Sequence, residues 1–238
     1  MSVENKPDLA TTKATKNIIV DNFVAPKCLD DISVLYQDES ILLINKPSGL
    51  LSLSGKNPKN YDSVHFRLVK QFSSATMVHR LDFGTSGIMV IALNKEVNSH
   101  LATQFQLRKV HKTYVSLLQG HLHENEGQIN QAIAKDASLF PKVKICSTEG
   151  KEAITHYTVL ERLHNPLSTR VRFYPHTGRT HQLRIHSQFI QHPILGCDLY
   201  ATGESHQGAN RLMLHAESIV FEHPVTGKKV HGVCPPPF

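Results

Sequence analysis

"MVHRLDFGTSGIMVIALN", residues 77–94, decides how this chain folds. Its second half, Gly87 to Asn94, is a continuous apolar run bounded by Gly and Asn. A run that short, flanked by breakers, reads as a buried central strand rather than a helix. The first half is polar and glycine-rich: His79, Arg80 and Asp82, then Gly84-Thr85-Ser86-Gly87. Loops at the ends of buried strands are where a rigid scaffold carries reactive side chains. Taken locally, Asp82 is equally a turn former and a candidate reactive group.

Working outward, Asn94 is placed to cap a helix in "KEVNSHLATQFQLRK", where Val97, Leu101 and Phe105 recur at helical spacing. Upstream, "SVLYQDESILLINKPSG" reads as strand, turn and strand, ended by the breaker Lys46-Pro47-Ser48-Gly49. "YDSVHFRLVKQF" places Val64, Leu68 and Phe72 on one helix face behind an Asp62 or Ser63 cap. Downstream, "KTYVSLLQG" is a strand ended by Gly120, and "AITHYTVLERL" and "TRVRFYPHTG" pair as strands. "RTHQLRIHSQFI" reads as a helix ending before His192-Pro193, and the remaining strands turn at Pro224-Val225-Thr226-Gly227. Strands outnumber helices and no interdomain linker is visible. The expected class is α+β: one catalytic domain over residues 29–238, with a mixed, mostly antiparallel sheet and flanking helices and loops around a central cleft. Residues 1–28, polar and without periodicity, read as a loose arm.

Composition narrows the class. The chain has 238 residues, 40% apolar and 19% charged, in the range of a globular protein with a sizeable core. No apolar run approaches the roughly 20 residues that span a bilayer, and the N-terminus has no apolar signal region. The expected compartment is the cytoplasm, with no membrane partner. Cys28, Cys146, Cys197 and Cys234 are scattered and read as reduced thiols in or near the core. Lys and Arg exceed Asp and Glu by 26 to 20, for a net charge of +6. That balance favours a polyanionic partner, most simply nucleic acid.

Several chemistries fail on spacing. A kinase needs H-R-D contiguous and a separate D-F-G downstream; here Leu81 interrupts the first and one aspartate would serve both. His176, His181 and His186 are five apart, and five residues rotate a helix by about 500°, so they do not share the face a zinc site requires. No metal is expected. No G-x-S-x-G elbow occurs either. A second polar segment remains: "HTGRTHQLRIH" (176–186), with Arg179, Arg184, three histidines and Gln182. If Thr180 starts a helix, Arg184 lies one turn inside it, as a solvated residue or as an ion-pair partner for Asp82.

The two segments together resemble the RluA family of RNA pseudouridine synthases. "HRLDFGTSG" (79–87) matches H-R-L-D-x-x-T-S-G, and "TGRTHQLRIH" (177–186) matches T-G-R-[ST]-H-Q-[LI]-R-x-H. "INKPSGLLSLSG" (44–55), "KTYVSLLQG" (112–120), "HPILGCDLY" (192–200) and "RLMLHAESIVFEHPVTG" (211–227) follow in register. The similarity runs from about residue 33 to the end of the sequence. The arm is too short and polar for the S4 domain of larger members. That absence, "FPKVKICSTEGKEAITHYTVL" (140–160) and "CPPPF" (234–238) resemble the compact branch, whose name-giving member modifies hairpin loops in rRNA and tRNA.

The resemblance implies an isomerase that converts uridine to pseudouridine in RNA stem-loops, of 23S rRNA, the tRNA anticodon arm, or both, with no cofactor. Its catalytic aspartate falls on Asp82, attacking the sugar C1′, adding to the base, or acting by elimination. Its arginine partner falls on Arg184, favouring the ionised form of a buried carboxylate. Its tyrosine falls on Tyr114, stacking on the base or relaying a proton. Arg80 is expected to fill the space of the flipped uridine, and Arg179 to hold the loop or the RNA backbone. The basic residues Arg108, Lys109, His111 and Lys112, with Lys142 and Lys144, are candidates for phosphate contacts. A monomer working on structured RNA without an obligatory protein partner is expected. The alternatives are a non-catalytic RNA-binding or RNA-folding module, and a synthase for a single tRNA or rRNA site.

Overall fold

The computed structural model describes residues 23–200 and 203–238. Residues 1–22 of the sequence-defined arm lie outside them. Residues 23–28 have no regular secondary structure. The Asn60 side chain accepts from the Ala25 N–H at 2.8 Å and donates to the Phe23 carbonyl at 2.7 Å. Phe23 meets the Phe83 ring edge-on at 5.4 Å.

In chain order the elements are β1 (Ser33–Gln37), β2 (Ile41–Lys46), α1 (Val64–Leu68), β3 (Thr76–Met77), β4 (Ser86–Ala92), α2 (Lys95–Gln106), β5 (His111–Gln119), β6 (Glu126–Asn130), β7 (Ile133–Lys135), β8 (Val143–Ile145), β9 (Ile154–His164), β10 (Leu167–Pro175), α3 (Gln182–Phe189), α4 (Glu204–Gln207), β11 (Leu214–Glu222) and β12 (Lys229–Val233). The architecture is α+β. Ten strands form one sheet in the order β1-β2-β4-β11-β5-β10-β9-β6, with β3 on β4 and β12 on β11; β7 and β8 pair separately. Neighbours are antiparallel except β4 and β11, which run parallel over His215–Ser86 and Ala216–Gly87.

The quoted apolar run is the anchor. All seven residues of β4 are buried. Caps behave as their side chains dictate: Ser63 accepts from the Phe66 N–H, and Asn94 from the Val97 N–H at 2.9 Å. Two expectations shift. α1 spans five residues, so Phe72 packs from beyond its end. The helix expected from Thr180 begins at Gln182, after His181 in a left-handed conformation (φ 53°). Arg184 therefore lies in the first turn.

The hydrophobic core is double. One cluster gathers β2, β4, α1 and α2; the other gathers residues of β5, β9, β10 and α3. Tyr114 packs against both. The seam runs along the parallel join of β4 and β11, where Gly87 (φ 113°) would place a Cβ 2.2 Å from the Ala216 carbonyl oxygen. Only glycine allows that approach. The seam opens a cleft in front of the loop that precedes β4. Among the described residues, no helix is long and apolar enough to cross a membrane.

Candidate active site

A cavity of about 300 Å³ lies at the seam, and both polar segments line it: Arg80 and Asp82 from one, Arg179, His181 and Arg184 from the other, with Tyr114 of β5 between. A roomier groove of about 900 Å³ between α2 and the β11–β12 hairpin holds no part of this constellation. The smaller cavity is the candidate site, because titratable groups converge there on one carboxylate.

The Asp82 loop is held almost entirely through its backbone. Ser52 Oγ donates to the Leu81 carbonyl at 2.7 Å and accepts the Leu81 N–H. The Phe83 carbonyl accepts from the Gly49 N–H at 2.9 Å and from Lys46 Nζ at 3.2 Å. Ser48 Oγ donates to the Gly84 carbonyl at 2.7 Å. The stretch "INKPSGLLS" is thus a cradle for the loop, not merely a strand and a breaker. Lys46 is its centre: fully buried, it also donates to the carbonyls of Pro47 and Leu50. Burial pulls its ammonium down to about 7. Within the loop, His79 stacks on Phe105 at 4.8 Å, and its Nε2 accepts the Val90 N–H at 3.1 Å. Burial, with help from Lys112, drops the imidazole to about 3, so it stays neutral and ties the loop to β4.

The opposite wall is held by side chains. Gln182 Oε1 accepts from the Thr177 hydroxyl and the Arg179 N–H, while its amide donates to the Ile154 carbonyl and Thr155 Oγ1. Arg179 Nε donates to the Glu152 carbonyl at 2.9 Å. The three histidines tested for a shared face diverge. His176 packs on His156, His181 bonds Tyr200, and His186 bonds Thr155 and the Gln131 carbonyl.

Arg184 Nη1 lies 3.7 Å from Asp82 Oδ2. The expected pair therefore forms, but not alone: Nη2 donates to Asp198 Oδ1, and Nε donates to Cys197 Sγ at 3.4 Å. Burial works against this guanidinium, yet Cys197, Asp82 and Asp198 outweigh it and keep it charged. Attraction between unit charges at this range is on the order of 4 kcal/mol at a surface-like dielectric, comparable to the desolvation cost of one buried ion. A second carboxylate tips that balance. Tyr114 is held above the ordinary phenol range, first by burial and then by Asp82, so it keeps its proton at neutral pH.

The basic cluster divides. Lys112 lines the cavity, Lys109 and His111 face the α2 groove, and Arg108 pairs with Glu152 at 2.9 Å. Both side chains of that pair remain about half exposed. Lys142 and Lys144 flank Val143, whose N–H donates to Tyr200 Oη beside the cavity. Sequence reasoning passed over four contributors: Lys46, His181, Asp198 and Tyr200. Each stood in a quoted stretch, yet only long-range packing gives them a role.

Comparison with known proteins agrees with the fold. The family model described as RNA pseudouridylate synthase matches residues 40–189. The chain is 46% identical over 201 residues to the dual-specificity RNA pseudouridine synthase RluA of Yersinia pestis, covering 84% of this chain and 97% of that one. It is 45% identical to the protein of the same name from Vibrio cholerae serotype O1, covering 81% and 78%. Among solved structures it is similar to human RNA Pseudouridylate Synthase Domain Containing 1, with a TM-score of 0.75 and 29% identity, over 90% of this chain and 86% of that one. Matching motifs, fold and identity over most of the length lead to one conclusion: the chain belongs to the RNA pseudouridylate synthases, as a member of the RluA family.

Proposed function

We propose that this RNA pseudouridine synthase isomerises uridines in hairpin loops of both ribosomal and transfer RNA, with the reaction centred on Asp82. The observation that carries the reading is the meeting of Asp82, Tyr114 and Arg184 in one cavity small enough for a single base. A uridine reaches such a cavity by flipping out of its stack, at a cost of a few kcal/mol that is least in a loop. The half-buried ring of Tyr114 offers it a stacking surface, and Arg80, exposed on the rim, is placed to occupy the vacated space. Asp82 is the nucleophile, with the Arg184 guanidinium 3.7 Å from its carboxylate. The N1–C1′ bond breaks, the base turns, C5 joins C1′, and the C5 proton leaves while N1 gains one. The net change is an isomerisation, with no redox step.

Dual specificity is supported by the names of the relatives from Yersinia pestis and Vibrio cholerae. Lys112 in the cavity supplies positive charge for phosphates, and Lys142 and Lys144 are further candidates. We read the protein as a cytoplasmic monomer without an obligatory protein partner; sedimentation should give a single species near 26.6 kDa.

Release of tritium from RNA carrying 5-tritiated uridine follows the reaction directly. Asp82→Asn should abolish it while RNA affinity and thermal stability hold; turnover by that variant would refute the assignment. Arg184→Ala should lower kcat by about 100-fold or more, because the carboxylate loses its cation and its orientation. A non-catalytic RNA module would release no tritium with the native chain. Mapping pseudouridines after deletion of the gene tests the targets: sites lost from only one RNA class would make this a single-target enzyme.

A further inference from the structure

His181 has no part in the chemistry so far, yet its Nε2 lies 4.0 Å from Asp82 Oδ1, on the carboxylate oxygen that Arg184 does not face. Its other nitrogen, Nδ1, is 2.9 Å from Tyr200 Oη. Tyr200 is buried, and its oxygen already accepts the Val143 N–H at 2.9 Å. A phenol has one hydrogen, and Nδ1 is placed to receive it. Nδ1 is then an acceptor, and the neutral ring must carry its proton on Nε2, the nitrogen that faces Asp82. The phenol keeps that hydrogen, since burial pushes Tyr200 up to about 12. The charges around the ring are Asp82 and Asp198 against Arg184 and Arg80, and burial outweighs them, holding His181 below its usual range and uncharged near neutral pH.

We propose that His181 is a positioning residue for Asp82: Tyr200 holds the imidazole in its Nε2–H form, and that N–H meets Oδ1 while Arg184 meets Oδ2. The inference rests on the reading of Asp82 as the reacting group. With a donor on each oxygen, the carboxylate plane is set, and the remaining lone pairs point into the cavity. One donor is a cation and the other is neutral. A second cation would blunt the nucleophile, whereas a neutral N–H orients it without adding charge. The present 4.0 Å is longer than a hydrogen bond, as is common before substrate fills a site, and His181 is expected to close on Asp82 once RNA is bound.

The test uses the full chain and single-turnover tritium release, with kcat and KM measured separately. His181→Asn keeps a side chain that tolerates the left-handed backbone but is too short to reach Asp82. It should lower kcat about 10- to 100-fold, the scale of a misplaced reacting group, with little change in KM. His181→Gln, whose amide reaches the place of Nε2, should recover most of that loss. Tyr200→Phe removes the hydrogen that selects the tautomer and should lower kcat by a smaller factor. Native kcat in His181→Asn, a loss confined to KM, or His181→Gln as poor as His181→Asn would each overturn the proposal. If His181→Asn melts well below the native chain, Tyr200→Phe decides, and native kcat there overturns it. Should the native chain itself release no tritium, the fault lies with the function and not with His181.

Discussion

The two walls of the cavity are built on different principles. The Asp82 wall is fixed through main-chain carbonyls at Leu81, Phe83 and Gly84, bonded to the last residue of β2 and the segment after it. The Arg184 wall is fixed through side chains, chiefly the amide of Gln182 and the partners of Arg184. A backbone cradle leaves the reacting group little freedom. A side-chain network can adjust as a large, variable ligand settles against it. The contrast suits the proposed reaction, in which Asp82 stays in place and the facing surface adjusts to the RNA.

The sharpest way to break this comparison is Lys46→Met. The substitution keeps volume and removes a buried charge, but leaves the carbonyls of Pro47 and Leu50 without their Lys46 donor and Phe83 with one donor fewer. Stability should fall by about 3 kcal/mol in urea titrations, and kcat by about 10-fold or more as Phe83 shifts beside Asp82. A native kcat would show that the cradle does not position the loop. Next in size is Gln182→Leu, which deletes four hydrogen bonds on the other wall. A loss of about 2 kcal/mol is expected. Here the kinetic effect should appear in KM for RNA, because the Arg179 loop loosens while Asp82 stays fixed; a pure kcat loss would erase the distinction between the walls.

The smallest effect is on pH. His79, lowered to about 3 by burial, accepts a proton in the unfolded chain near 6.5 but not in the folded one. His186 and His215 are shifted the same way by burial. Between these values the unfolded state binds more protons, so stability rises with pH and is lost as pH falls below about 6.5. His79 alone should cost about 1 kcal/mol at pH 6, and more on further acidification. Melts of the native chain and of His79→Gln at pH 7 and 6 measure this; equal slopes would place the acid sensitivity elsewhere.

Much of this was legible in the sequence where the signal is local. β4 announced itself as an unbroken apolar run, and the caps at Ser63 and Asn94 needed only a hydroxyl or an amide ahead of a helical pattern. The pairing of β9 with β10 followed from two strand patterns either side of one turn. β6, β7 and β8 were not anticipated, because strands of three to five residues with a single buried position each carry too little alternation to stand out. The start of α3 was misplaced by two residues because His181 takes a left-handed conformation that nothing in its neighbours demands. Lys46 read as a strand end because a lysine after "ILLIN" normally marks solvent.

The sequence by itself determined the strands that must be buried and the helices that must be capped, because those properties follow from side chains acting on their own backbone over a few residues. That Asp82 and Arg184 face one another was implied there only by the family resemblance of two motifs. Only the tertiary structure decided that Asp198 shares Arg184, that Lys46 lies beneath the loop, and that His181 faces Asp82 with Tyr200 behind it. Such contacts depend on the parallel join of β4 and β11, which a glycine permits and which brings distant segments to one cavity. Periodicity reports what lies next along the chain; the order of strands in a sheet, set by how two cores close on each other, determines what lies opposite.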